Sequence, residues 1–593
     1  MRVLVRFLAV VGALAILLVV LGIALAIRVS GLSGVGPMPK EIVLKLDLDQ
    51  PLAEHQSDEG LPGVFGRAAT LRGIVETLDR AAADPKVKGL VATLGNASPG
   101  MGKAQELRDA VARFRSAGKF TLAYADTFGE FQPSDQPYYL ATAFDEIWMQ
   151  PLGNLNLTGL LSELPFGRGA LEKLKITPEV SKRYEYKSAA EMMGEYNASP
   201  ANREMTESLL DDLFQQLVTG IAERRKLAPE TVQALIDRAP LLDKESLEAK
   251  LIDRLGYLDE VEDSAKKQAG EHSDMVEFDD YAASIGPAKP DGQAVALIVG
   301  SGTIMRGSGE SNPLLGSETM GSDAVADAFA DAIEDEHVKA ILFRVDSPGG
   351  SAVASEVVRR AVQRAKAAGK PVVVSMSDVA GSGGYWVAMD ADKIVAQPGT
   401  FTGSIGVFSS KFATEAMWKE LGVSWTLLGR GRNATLYSSV TGYSDTEKQR
   451  VEAMLDDIYG SFTAGVAAGR SLPIEEVRKI ARGRVWTGRQ AKERGLVDAL
   501  GGYDVALQQL RVAMNARPDT KLHLVEFPKP KSGIEVLYDM LASRAGLAEQ
   551  ASRAATREVA ASLRPMLARI SPLLPPPPGE TLLKMPAVGI GGF

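Results

Sequence analysis

The chain has 593 residues, 45% hydrophobic and 24% charged, too many for one core and of ordinary globular composition, so two or more domains are expected. A formal net charge of −9 disfavours a nucleic-acid binder. The absence of cysteine excludes disulfides, thiolate nucleophiles, cysteine zinc sites and iron–sulfur clusters.

From Phe7 through Ile27 the sequence holds no charged or strongly polar residue, and Arg2, Arg6 and Arg28 flank it. That is about the 20 residues a helix needs to cross a bilayer, so residues 1–28 read as a signal anchor. The alternative is a cleaved signal peptide, since Ala24-Leu25-Ala26 resembles a cleavage site, although this apolar run is longer than most such regions. Arg2 and Arg6 would hold the N-terminus inside and place the body on the outer side. Residues 29–39 form a Gly/Pro/Ser linker. Helical patterns then alternate with short apolar strands, as at residues 87–92 and 338–343, which predicts an α/β class with parallel sheets.

The two halves of this body are versions of each other. Tyr138-Tyr139-Leu140-Ala141, followed by Gln150-Pro151, reappears 247 residues later as Tyr385-Trp386-Val387-Ala388, followed by Gln397-Pro398. Gly256-Tyr257 likewise reappears as Gly502-Tyr503. Two tandem domains of one fold follow, at 40–288 and 289–530. Residues 531–593 have no counterpart. They read as a helical stretch to about Ile570 and an extended segment forced by Pro575 to Pro578, a tail for docking or subunit contact.

Within the second copy, residues 372–386 read as a buried strand, a glycine turn and a helix start, with Ser382 at the turn. Ser382 is there either a helix N-cap or a nucleophile near a helix N-terminus. The loop Asp346-Ser347-Pro348-Gly349-Gly350-Ser351 also ends a strand and opens a helix, and its two glycines offer backbone N–H groups to an anion. The first copy has Asp135 where the second has Ser382. A serine nucleophile needs a base, and the four histidines, His55, His272, His337 and His523, all lie in polar surroundings unsuited to a triad. A lysine stripped of charge by desolvation is the alternative. Lys187, in Tyr184-Glu185-Tyr186-Lys187-Ser188-Ala189-Ala190, fits, and its second-copy equivalent is Ala434. One copy keeps a serine and the other a lysine, against the bland reading of Lys187 as a solvated surface residue.

At these residues, and at Thr402-Gly403-Ser404-Ile405-Gly406, the chain resembles the long, tandem-domain form of the signal peptide peptidase SppA family, membrane-anchored bacterial Ser/Lys proteases. The resemblance runs from the anchor to about residue 530. It implies two ClpP/crotonase-like domains with repeated ββα units. It also implies Ser382 as acylating nucleophile, Lys187 as general base, and Gly349, Gly350 and Gly383 as the oxyanion hole. Ser404, a rival nucleophile by eye, would orient the lysine. One departure is Gly381, where the family often has alanine. The implied substrates are cleaved signal peptides and other extended peptides, handled without metal or cofactor by a homotetramer on the outer side of the bacterial inner membrane. Two other readings compete: a non-catalytic membrane scaffold of the same fold, which should have lost Ser382 or Lys187, and a crotonase-type acyl-CoA enzyme, which usually needs an acidic base.

Overall fold

The computed structural model describes residues 38–55, 70–270, 272–287, 290–309, 319–529 and 582–584. The expected anchor in residues 1–28, and the expected tail apart from 582–584, lie outside them. Among the described residues no helix is long and apolar enough to cross a membrane.

The first half supplies β1 (Ile42–Asp47), α1 (Leu71–Ala83), β2 (Val87–Thr93), α2 (Met101–Ser116), β3 (Phe120–Ala125), α3 (Asp135–Ala141), β4 (Glu146–Met149), β5 (Thr177–Arg183), β6 (Arg254–Leu255) and β7 (Asp274–Glu277). Six of these strands form one sheet in the order β6-β4-β3-β2-β1-β7, every neighbouring pair parallel. The strands are apolar runs buried on both faces, as parallel strands between helix layers must be. α1 is typical of those helices. Thr70 caps it by accepting the Gly73 N–H, and Leu71, Ile74, Val75, Leu78 and Ala81 fall on the buried face at helical spacing.

The second half repeats this plan with β8 (Gln293–Ser301), β9 (Thr303–Met305), β10 (Thr319–Gly321), α4 (Ser322–Glu334), β11 (Val338–Ser347), β12 (Gly349–Ser351), α5 (Ala352–Ala367), β13 (Val372–Gly381), α6 (Gly383–Trp386), β14 (Lys393–Ala396), β15 (Phe401–Gly403), β16 (Val407–Ala413), β17 (Val485–Thr487), β18 (Ala499–Leu500), α7 (Tyr503–Ala513) and β19 (Leu522–Phe527). The neighbour order β18-β14-β13-β11-β8-β19 matches that of the first sheet strand for strand, with β15 added beside β13 and β17 beside β15. Both halves also carry a 26-residue helix, Pro200–Arg225 and Asp445–Arg470. The duplication extends to single bonds. The Tyr138 hydroxyl donates to the Leu251 carbonyl at 2.7 Å, and the Tyr385 hydroxyl donates to the Leu496 carbonyl at 2.9 Å.

A third sheet joins the halves. Its order is β10-β9-β12-β20-β16-β5, where β20 is Leu582–Lys584. β5 of the first half runs antiparallel to β16 of the second, with Arg183 opposite Val407 and Thr177 opposite Ala413. This pairing carries the chain that follows β5 into the second half.

Candidate active site

Ser382 sits where β13 breaks into α6. β13 and β15 run parallel with Gly381 beside Gly403, so the residues that follow, Ser382 and Ser404, leave the sheet together. Both take left-handed backbone angles, φ 55° and φ 50°, a strain that a packed surround must hold. The Ser382 N–H donates to the Gly403 carbonyl at 2.8 Å, and the Tyr385 and Trp386 N–H groups return to the Ser382 carbonyl. Ser382 occupies the N-cap position of α6, yet its side chain makes no capping hydrogen bond. Its hydroxyl turns instead to the first half of the chain.

There it meets Lys187. The β5–β16 register ends at Arg183 and Val407, which places Lys187, four residues on, against Ser404, three residues back. Lys187 Nζ lies 2.7 Å from Ser382 Oγ, 3.0 Å from Ser404 Oγ and 3.0 Å from the Ser404 carbonyl oxygen. All three residues are fully buried. Burial holds the Lys187 amine well below its ordinary value, and no carboxylate acts on it to oppose the shift. A neutral amine has two N–H donors and one lone pair. Two donors satisfy the carbonyl and hydroxyl of Ser404, and the lone pair is left to accept the Ser382 O–H.

The glycine loop lies on the other side of the nucleophile. A Cβ built on Gly383 would stand 3.1 Å from both Gly349 Cα and Gly350 N, and 2.7 Å from Ser355 Oγ, so the glycine at 383 lets these backbones lie this close. Gly383 opens α6, and first-turn N–H groups have no partner within their own helix. Gly349, at φ 99°, donates its N–H to Ser347 Oγ at 3.1 Å, while the Ser347 hydroxyl donates to the Gly302 carbonyl at 2.6 Å. Each candidate residue named from the sequence is therefore in one place. Asp135, at the position of Ser382 in the first half, is also buried but faces no lysine. Its carboxyl is pushed up to about 7 by burial and accepts the Gly159 N–H at 2.8 Å.

Two features escaped the sequence reading. Gly483, at φ 85°, packs so tightly on the base that a Cβ would lie 2.5 Å from the Lys187 backbone nitrogen. Its neighbour Arg482 accepts the Tyr184 and Tyr186 N–H groups at its carbonyl. The second feature is a buried charge cluster between the halves. Arg344 on β11 is fully buried and meets Glu54 at 2.8 Å and Glu106 at 2.9 Å, both from the first half. Lys103 reaches Asp346 at 3.1 Å and Asp378 at 3.6 Å, on the strands that lead to Gly349 and to Ser382. A single arginine inside the apolar run of β11 was the available signal.

Comparison with known proteins gives the family. The profile of Peptidase family S49 matches residues 113–271 and 364–517, one segment in each half. The chain belongs to peptidase family S49. It is 32% identical to the chloroplastic serine protease SPPA of Arabidopsis thaliana over 492 residues, 81% of this chain and 71% of that one. It is 34% identical to Protease 4 of Salmonella typhi over 483 residues, 78% of this chain and 75% of that one. To Protease 4 of Haemophilus influenzae it is 30% identical over 515 residues, 82% and 81% of the two chains. The chain is thus a serine protease of the S49 family, in the long form with tandem domains.

Proposed function

We propose that this protease works through a Ser/Lys dyad on two ClpP/crotonase-like domains, Ser382 as nucleophile and Lys187 as general base. The observation that carries the reading is the 2.7 Å contact between a buried amine, held by desolvation well below its ordinary value, and a serine hydroxyl that makes no helix-cap bond. Ser382 Oγ attacks the peptide carbonyl as its proton passes to Lys187 Nζ. The oxyanion forms between Gly383 and the Gly349–Gly350 segment, the Gly349 N–H being the one already held by Ser347. The Lys187 ammonium then gives its proton to the leaving amine. Water enters against the acyl-ester, Lys187 takes its proton, and Ser382 is regenerated. Ser404 orients the amine through its hydroxyl and carbonyl. No step requires a metal or cofactor.

The substrate class is extended peptides, cleaved signal peptides among them, and the protein is held at the bacterial inner membrane by residues 7–27 with its body on the outer side. Exposed Leu421, Trp425, Leu428 and Tyr437 support contact between subunits of a homotetramer.

The test is mass spectrometry after a fluorophosphonate probe, with the label expected on Ser382. Label on Ser404 would transfer the role of nucleophile. Ser382→Ala and Lys187→Ala should each lower kcat/KM for a fluorogenic peptide by at least about 10³-fold, since dyad members act as a unit. The rate should rise with pH through a value below 10.5 as Lys187 loses its proton, and a profile that survives Lys187→Ala would remove it as the base.

A further inference from the structure

Ser382 and Ser404 each follow a sheet strand directly, but Lys187 lies four residues beyond the end of β5. After it come two short helical turns, Ser188–Ala190 and Glu191–Gly194. No strand ladder fixes the backbone under this long side chain, so other contacts must set where its amine goes.

Glu191 is 2% exposed, a burial that a carboxylate tolerates only when its oxygens are met by donors. Four donors meet them here. Oε1 accepts from the Lys182 ammonium at 2.6 Å and the Ser199 hydroxyl at 2.7 Å. Oε2 accepts from the Ser199 N–H and the Asn202 side-chain amide, each at 3.1 Å. Burial works to raise this carboxyl, but Lys182 and Ser199 outweigh it and hold it below its ordinary 4.5, so it is ionised at neutral pH.

The Lys182 ammonium also donates to the Glu185 carbonyl at 3.2 Å. One cation on β5 therefore holds the chain two residues before Lys187 and four residues after it. On the other side, Ser199 is the N-cap of the 26-residue helix Pro200–Arg225, and Asn202 lies in its first turn. That helix reaches the second half, where Glu204 pairs with Arg484 at 2.8 Å. The Arg484 carbonyl in turn accepts the Ser404 N–H at 2.7 Å. The turn that carries the base and the serine that orients it are thus referred to one helix.

Resting on the Ser/Lys reading above, we propose that Glu191 is a positioning residue for the reaction, tying the Lys187 turn to β5 and to the helix start and so setting the reach of the amine to Ser382. It acts by geometry rather than by its charge, since burial alone shifts the Lys187 amine.

The experiment compares Glu191→Ala, Glu191→Gln and Lys182→Met with wild type on a fluorogenic peptide, with rates taken per mole of folded protein. Glu191→Ala should lower kcat about 10–100-fold with KM within about twofold, the scale of an ångström of misplacement. The midpoint of its pH–rate profile should rise toward the ordinary 10.5, by about half a pH unit or more, as the loosened turn lets water reach the amine. Glu191→Gln keeps an acceptor for Lys182 and Ser199 and should recover most of kcat. Lys182→Met changes a partly exposed residue and should show the same two effects, with kcat down about 3–10-fold. A merely structural Glu191 would lower the fraction folded and leave both kcat per folded molecule and the pH midpoint in place. That result in Glu191→Ala, or in Lys182→Met if Glu191→Ala does not fold, overturns the proposal. Equal losses in Glu191→Gln and Glu191→Ala also overturn it, because charge rather than position would be at work. Fluorophosphonate label away from Ser382, or a pH profile that survives Lys187→Ala, would instead be a failure of the Ser/Lys reading, and the proposal would fall with it.

Discussion

Burial holds the Lys187 amine well below its ordinary value inside the folded protein, a shift that costs stability as surely as it favours a base. Its folded value lies well below the ordinary 10.5, so between the two values the unfolded chain binds a proton that the folded chain lacks. Stability contributed at this position is therefore full only above about 10.4, and it falls as pH drops toward the folded value. Lys187→Met keeps the length and apolar stem but needs no deprotonation. It should be inactive yet more stable than wild type at pH 7, by roughly 1–2 kcal/mol, the scale on which relieving a functional site trades activity for stability. The gain should shrink as pH approaches 10. Denaturant midpoints at pH 7 and 9.5 measure this, and a variant no more stable at pH 7 would mean that the amine is charged and compensated.

Turns and strand pairings bring the dyad together, and they were legible to different degrees. The repeat was readable because Tyr138 and Tyr385 do the same job in each half, donating to Leu251 and Leu496. The nucleophile turn was readable because a β-branched run broken by glycines has a local signature. The crossing of β5 to β16 was not, since pairing between residues more than 200 apart leaves no mark on either segment alone. Gly483 was hidden for a related reason: in Arg482-Gly483-Arg484 nothing reveals that the glycine presses on Lys187. Its role can be separated from simple backbone strain. Gly369 has φ 78° with nothing within 4 Å of the place a Cβ would take, whereas Gly483 has φ 85° and the Lys187 backbone at 2.5 Å. Gly369→Ala and Gly483→Ala should each lose about 1 kcal/mol or more of stability. Only Gly483→Ala should also lower kcat/KM, by about 10-fold or more, because the base must move. Equal activity in the two variants would sink the idea that this turn positions Lys187.

At the scale of the molecule, a base from one half and a nucleophile from the other function only if the halves cannot slide. The Arg344 cluster is placed to prevent that, since Glu54 and Glu106 reach across from the first half while the Asp346 and Asp378 strands continue to Gly349 and Ser382. Arg344 also stacks 4.5 Å from the Tyr503 ring and donates to Ser375 Oγ at 2.8 Å. Burial works to raise the Glu54 carboxyl, but Arg344 and Lys103 outweigh it and hold Glu54 at about 2. Burial dominates at Asp378, which is pushed up to about 6. The signs differ. The stability from Glu54 is present above its ordinary 4.5 and lost as pH falls toward 2, whereas protonation of folded Asp378 adds stability as pH falls below 6. Arg344→Met removes the cation and leaves Glu54 and Glu106 buried without it, a change that costs about 3–5 kcal/mol in comparable sites. Both carboxyls should then favour protons, so the loss should be largest at pH 8 and smaller at pH 5. Adding Glu54→Gln and Glu106→Gln should restore much of it, as neutral partners no longer need the guanidinium. Urea unfolding of the three chains, wild type, Arg344→Met and the triple variant, at both pH values reads the effect directly. A loss under about 1 kcal/mol at pH 8, or one indifferent to pH, would show that the halves are held in register by their apolar contact and the β5–β16 pairing alone.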